Sequence, residues 1–195
     1  MSEFKEDPIS EFLAWFDEAK QTPLRDPNAM TLATVDAEGA PAARMVLMKH
    51  FDQQGLVFYT NLTSSKSRDL KQNPQAAACF FWETTRKQVR VTGRVEQVTD
   101  AEADAYFGSR PIDSQIGAWA SLQSQVLEER REFETRFEDL KRLYKDQAPP
   151  RPPHWSGWRI VPQKMEFWIE RPFRLHERYV YLRKAGGWTR NLLYP

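Results

Sequence analysis

The chain has 195 residues, enough for one hydrophobic core with at most a small appendage. Lys and Arg number 28 against 27 Asp and Glu, a net charge of +1, which excludes the broad basic field of a non-specific nucleic-acid binder. A single cysteine, Cys79, excludes an intrachain disulfide and a multi-cysteine zinc site, and its apolar surroundings predict a buried, inert thiol.

Asp7-Pro8 predicts a helix start, because Asp caps free amides and Pro tolerates the first helical position. Ile9, Phe12, Leu13 and Phe16 recur at helical spacing before Pro23. Strands are expected over 30–35, 42–51 and 56–59, separated by Asp36-Ala37-Glu38-Gly39 and Asp52-Gln53-Gln54-Gly55. Connections that short join antiparallel neighbours. Ser64 reads as the cap of a short helix running to Gln72, and 75–82 with 88–98 read as a further hairpin. Thr99 and Glu102 form a capping-box pattern for a helix to about Phe107. Pro111 breaks it, and a second short helix follows over 113–119. The longest helix is expected over 125–145, with Val126, Phe133, Phe137, Leu140 and Tyr144 near one stripe. The proline-rich 148–153 reads as a stiff spacer, after which strands are expected over 158–161, 165–169, 178–183 and 188–193. The expected fold is mainly β with inserted helices, an antiparallel sheet closed as a barrel. It forms a single domain over 1–195, with the helical insertion at about 99–146. The first residues hold no apolar run like a signal peptide, and no stretch approaches membrane-spanning length, so a cytoplasmic protein with no membrane partner is expected.

Three clusters carry possible chemistry. Around Ser64-Ser65-Lys66-Ser67-Arg68 a helix start offers amides, hydroxyls and cations to an anion; an ordinary Ser-capped surface helix would look the same. Tyr106, Arg110 and Ser114 are spaced four apart, with Gln123-Ser124 following, another set of donors suited to phosphate. An extended 174–178 would set Arg174, His176 and Arg178 on one side at steps of roughly 7 Å, as a cationic face for an anion or simply as a solvated one. Arg44 and Lys49 share a strand at odd separation, so one shared ligand requires a bulge or a ligand wrapping an end; one or both snorkelling to water is the alternative. The three histidines have no ligand spacing, no metal is expected, and no glycine-rich phosphate loop occurs. An enzyme built this way needs an organic cofactor. Aromatic residues make up 13% of the chain, which suits a planar one.

Five segments in order resemble the pyridoxine/pyridoxamine 5′-phosphate oxidase family: Arg44-Met45-Val46-Leu47-Met48-Lys49, Phe58-Tyr59-Thr60-Asn61, residues 109–118, Met165-Glu166-Phe167-Trp168 and Arg174-Leu175-His176. The resemblance implies an FMN-binding split β-barrel that forms a homodimer with each flavin between subunits. It implies FMN contacts from Arg44, Met45, Val46, Leu47, Met48, Lys49, Tyr59, Thr60, Ser65, Lys66 and Gln88. Gln123, Ser124, Trp168 and Arg178 would join them from the other subunit. Lys49, Tyr106, Arg110 and Ser114 would hold the substrate phosphate, with Arg174, Leu175 and His176 at its pyridine ring. Arg174 and His176 are the implied catalytic pair. The implied reaction passes a hydride from the substrate's 4′ carbon to flavin N5, with dioxygen as final acceptor and pyridoxal 5′-phosphate as product. The alternatives are a related oxidase of a phenazine-type substrate and a non-catalytic flavin- or haem-binding barrel. Three departures stand out: Ser65 where the family usually has Arg, Ile169-Glu170 in place of Gln-Gly, and a start too late for the upstream Arg- and Tyr-bearing segment that covers substrate in many members. Arg68, one turn on, is expected to compensate partly at Ser65.

Overall fold

In the computed structural model, which describes residues 4–195, Asp7 caps α1 (Pro8–Lys20) by accepting from the amides of Ile9 and Ser10. The apolar face of α1 buries Ile9, Phe12 and Trp15. Phe12 meets Phe51 and Phe80 edge-on at 4.7 and 5.0 Å. Such pairs add directionality to the burial of large apolar surfaces.

The strands are β1 (Ala29–Val35), β2 (Pro41–Leu47), β3 (His50–Asp52), β4 (Gly55–Asn61), β5 (Gln75–Trp82), β6 (Lys87–Gln97), β7 (Trp155–Ile169), β8 (Glu177–Lys184) and β9 (Gly187–Leu193). The helices after α1 are α2 (Ser65–Gln72), α3 (Asp100–Gly108), α4 (Ile112–Ala120) and α5 (Arg130–Leu143). All strand pairs are antiparallel, in the order β2-β1-β5-β6-β7-β4-β3, with β8 on β7 and β9 on β8. The end strands β2 and β3 are joined only through Met48-Lys49, so the sheet curls into a split barrel.

Three expectations are corrected. The run 42–51 is two strands, because the Met48 amide donates to Asn28 O and the next amide, of Lys49, donates to Val57 O. The chain thus changes partner there, passing from the β1 side to the β4 side. The strands expected at 158–161 and 165–169 are one strand, β7. One edge of β7 pairs with β6 over Trp158–Ile169; the other pairs with β4 over Trp155–Ile160 and β8 over Lys164–Ile169. Register slips between Thr92 and Gly93, where the partner residue moves from Lys164 to Pro162. A bulge accommodates the missing proline N–H and bends the strand where its second partner changes. A Cβ on Gly93 would lie 1.9 Å from Val161 O, so the bend requires glycine. The last helix begins at Arg130 rather than 125, leaving Val126 94% exposed.

The Thr99–Glu102 capping box forms as expected. Arg151 in the proline-rich spacer bonds Asp100 and Asp104 on α3, fixing the return of the chain to the sheet. Among the described residues no helix is long and apolar enough to cross a membrane.

Candidate functional site

A cavity of about 410 Å³ lies where β2, β4, α2 and the α3–α4 junction meet. Met45, Val46, Leu47 and Lys49 line one side, Tyr59, Thr60 and Lys66 the floor, and Tyr106, Arg110, Ser114, Gln123 and Trp155 the rest. Eleven of the residues implied by resemblance therefore meet here. An adjoining space of about 390 Å³ shares Tyr59, Thr60, Arg110, Ser114, Gln123 and Trp155.

The wall is an aromatic stack. Tyr59 lies parallel to Tyr106 at 4.1 Å and to Trp155 at 5.3 Å. Tyr59 pairs with Gly157 across the β4–β7 ladder, and a Cβ at Gly157 would stand 2.8 Å from its ring. The close approach of ring to backbone thus depends on that glycine. Burial, with the nearby Glu102 carboxylate, pushes the Tyr59 phenol up from its ordinary value. The Arg110 guanidinium sits 4.9 Å over Trp155 and 5.7 Å from Phe107. Its backbone is held by Gln115, whose Nε2 donates to Arg110 O at 2.8 Å. Arg110 Nη1 is buried without a hydrogen-bond partner among the described residues, and burial lowers the guanidinium's pKa. A buried, unpaired donor of positive charge is costly and is satisfied by an incoming anion.

Ser64 occupies the N-cap position of α2, yet its hydroxyl donates to Asn61 O instead of capping an amide. The Ser65 amide donates to Ser124 Oγ. Lys66 is buried, and its Nζ donates to Thr60 Oγ1, Ser64 Oγ and Gln123 Oε1 at 3.1–3.2 Å. All three acceptors are neutral. Burial first, then repulsion from Arg44, lowers its pKa to about 8, against the pull of Asp69. Arg68 Nη2 donates to Ser65 Oγ at 3.1 Å, bringing a cation to the position that Ser65 leaves uncharged. The cavity's polar residues thus form a donor set, rich in cations and amides and suited to phosphate.

The remaining candidates lie elsewhere. Gln88, Trp168 and Arg178 are cross-strand neighbours on β6, β7 and β8. Trp168 is about 11 residues farther along β7 than Gly157, roughly 35 Å of extended chain. One protomer therefore does not bring these residues to the cavity. Glu166 is buried beside them; burial alone would raise its pKa, but bonds from Arg178 and Arg90 outweigh this and hold it low. Arg178 is fixed by that carboxylate at 2.8 Å. The expected extended run 174–178 is corrected: Pro172–Arg174 form a 3-10 turn, with Phe173 and Arg174 at φ 59° and 62°. Successive left-handed residues without glycine are a strained arrangement, of a kind concentrated at functional sites. Arg174 and Leu175 are exposed. His176 lies 4.7 Å from the Trp168 ring, and its Nδ1 faces the Arg171 amide at 3.2 Å. The neutral ring therefore carries its proton on Nε2. Glu170 pairs with Arg86 and Ile169 is buried, which is how the chain accommodates Ile169-Glu170.

Gln123 and Ser124, expected from the other subunit, reach Lys66 and Ser65 within the same chain. Met48 does not line the cavity; it is buried in the core. Arg44 turns to the inner face, donating to Thr34 Oγ1 and Leu32 O. Trp155, Gln115, Thr34 and Asp69 were not singled out by sequence. Trp155 is an unremarkable aromatic after a proline run, Gln115 acts on a backbone carbonyl five residues back, and Thr34 and Asp69 meet across 35 residues of chain.

Comparison with known proteins places these features in context. A family profile described as pyridoxamine 5′-phosphate oxidase matches residues 16–144, and one described as the pyridoxine 5′-phosphate oxidase C-terminal dimerisation region matches 155–195. Curated relatives named pyridoxine/pyridoxamine 5′-phosphate oxidase include that of Myxococcus xanthus (strain DK1622), 56% identical over 97% of this chain and 92% of its own length. That of Rhodospirillum rubrum is 54% identical over 97% of this chain and 96% of its own. Among solved structures, PhzG from Burkholderia lata 383, in complex with tetrahydrophenazine-1-carboxylic acid, superposes with a TM-score of 0.93 at 30% identity, covering 98% of this chain and 94% of that one. An FMN-binding protein from Nostoc punctiforme gives a TM-score of 0.78 at 18% identity, covering 99% of this chain and 100% of that one, a likeness of fold.

Proposed function

The chain belongs to the pyridoxamine 5′-phosphate oxidase family, and we infer that it is an FMN-dependent oxidase that converts pyridoxine 5′-phosphate or pyridoxamine 5′-phosphate to pyridoxal 5′-phosphate. It works as a homodimer through the region 155–195. FMN, when bound, would supply at N5 an acceptor for the hydride of the substrate's 4′ carbon, with dioxygen as final acceptor giving hydrogen peroxide; the imine left by the amine substrate would take up water and release ammonia to give the aldehyde. A cytoplasmic setting and a single domain belong to the same proposal.

The observation that carries the substrate class is the buried Lys66 and the half-buried Arg110 facing one cavity, with no carboxylate among the described residues bonded to either. Lys66, Thr60, Gln123 and the α2 start, with Ser124 and Arg68 beside it, hold the flavin phosphate. Arg110, Tyr106, Ser114 and Lys49 hold the substrate phosphate. Two anions in one cavity set the flavin and pyridine rings side by side, and that alignment makes the transfer effectively intramolecular. Phosphate anchoring supplies remote binding energy for it.

Gln88, Trp168, Arg178, Arg174, Leu175 and His176 come from the second copy, since one chain holds them some 11 residues down β7 from the cavity floor. Arg178, fixed by Glu166, contacts flavin. Arg174 covers the pyridine ring, and His176 offers it an Nε2–H. In that tautomer His176 orients the ring and accepts no proton at Nε2.

Purified protein loaded with FMN is expected to be yellow and to release peroxide and pyridoxal 5′-phosphate in air from either vitamer. Colourless protein that cannot be reconstituted would overturn the cofactor. The Burkholderia lata structure motivates a second reading, a phenazine-type substrate. Flavin-loaded protein inert toward both vitamers but active on a tetrahydrophenazine would establish it.

A further inference from the structure

Asp69 has no part in the chemistry above, yet it is a largely buried acid, its side chain 13% exposed, in the middle of α2. Thr34 Oγ1 donates to its Oδ2 at 2.6 Å, and the same hydroxyl accepts from Arg44 Nη1 at 2.6 Å. Arg44 Nη2 stands 3.7 Å from the same carboxylate oxygen. Thr34 therefore bridges an acid on α2 to a base on β2.

Lys66 lies three residues before Asp69, within the reach of neighbouring positions on a helix. The charges acting on its ammonium are Arg44 from β2, which opposes it, and Asp69 from α2, which favours it. From β4 and the 121–129 segment it meets only neutral Thr60 and Gln123. Lys49, Tyr106 and Arg110 line the same cavity. Burial and Arg44 already bring its titration to about 8, so the balance is poised near physiological pH.

We propose that Asp69 is a positioning residue for the flavin phosphate: it offsets the charge of Arg44 beside Lys66, so that Lys66 meets the phosphate as an ammonium. The inference rests on the FMN reading of this cavity. Removing the carboxylate leaves Arg44 opposing Lys66 alone, and Lys66 then loses its proton at lower pH. Arg44 also becomes a freer cation for the phosphate. The two effects act in opposite directions, and pH separates them.

The test is FMN affinity of the apoprotein by flavin fluorescence quenching from about pH 6 to pH 9, with wild type, Asp69→Asn and Lys66→Arg. Wild-type affinity should weaken as pH rises past about 8, where Lys66 titrates. In Asp69→Asn the onset should move down by about one pH unit. Affinity should then stay within about twofold of wild type near pH 6, be roughly fivefold weaker near pH 8 and approach tenfold weaker near pH 9. Lys66→Arg should abolish the alkaline loss. Weakening by one factor at every pH would show a merely structural role and overturn the proposal, as would an unshifted onset. Should Asp69→Asn alone not fold, the cycle is run in Arg44→Met, which carries no buried unpaired base. There the onset should rise, and adding Asp69→Asn should bring it back; an onset that stays put contradicts the proposal. Apoprotein that binds no FMN near pH 6 sinks the FMN reading itself, a distinct result.

Discussion

Replacing Arg110 by Met separates what the guanidinium does for the fold from what it does for a ligand. In the free protein its Nη1 is a buried donor without a partner, which costs about 1–3 kcal/mol. Its stacking on Trp155 at 4.9 Å returns about 1 kcal/mol. The apolar, unbranched Met keeps much of the packing, so the net effect on folding should be about 0–2 kcal/mol of stabilisation. For a chain of this size that is a rise of up to about 8 °C in Tm. A substrate phosphate, by contrast, satisfies the donor with charge-assisted bonds worth about 3 kcal/mol, so KM should rise roughly a hundredfold. Thermal melts of the apoprotein and steady-state kinetics with pyridoxamine 5′-phosphate measure the two quantities. A variant that melts well below wild type while KM stays unchanged would refute the reasoning, because Arg110 would then be a structural cation.

Arg68→Ala should weaken FMN binding by about threefold to tenfold, a modest factor because the side chain is exposed; unchanged affinity would remove its proposed compensation for Ser65. Gly157→Ala places a methyl 2.8 Å from the Tyr59 ring and should cost about 1–3 kcal/mol, lowering Tm and raising KM together. A wild-type melt would mean the aromatic wall yields freely. His176→Gln keeps an N–H donor without a titrating ring, so turnover should fall less than about tenfold, against the hundredfold or more expected on losing a general base. Arg174→Ala should impair turnover far more than flavin retention, measured by absorbance after gel filtration; loss of flavin instead would place that residue at the cofactor.

Local devices were readable without the structure. The Thr99–Glu102 box and the Asp7 cap depend on residues three apart, and both form. Lys66 and Arg110 were legible because hydroxyls, amides and cations clustered beside helix starts, while Tyr59 came only from the family resemblance. What escaped depends on partners distant in sequence. Pro162 looks like the end of a strand until β6 supplies the Gly93 bulge opposite it. The break at Met48-Lys49 exists because β1 and β4 compete for consecutive amides. Of the oddly spaced Arg44 and Lys49, Lys49 lines the cavity, whereas Arg44 turns to Thr34 and Asp69. Gln123 and Ser124 bond Lys66 and Ser65, α5 starts only at Arg130, and nothing in the composition of 125–129 announces that. Asp69 is not singled out by the sequence, since Thr34, its bridge to Arg44, lies 35 residues away.

The most direct test is anaerobic mixing of FMN-loaded protein with pyridoxamine 5′-phosphate, pyridoxine 5′-phosphate and their phosphate-free counterparts, following the yellow flavin absorbance. The account expects bleaching by the phosphorylated vitamers, with pyridoxal 5′-phosphate formed one for one and colour restored with peroxide on admitting air. Flavin that stays oxidised with both phosphorylated vitamers, or that bleaches as readily without the phosphate, would contradict it.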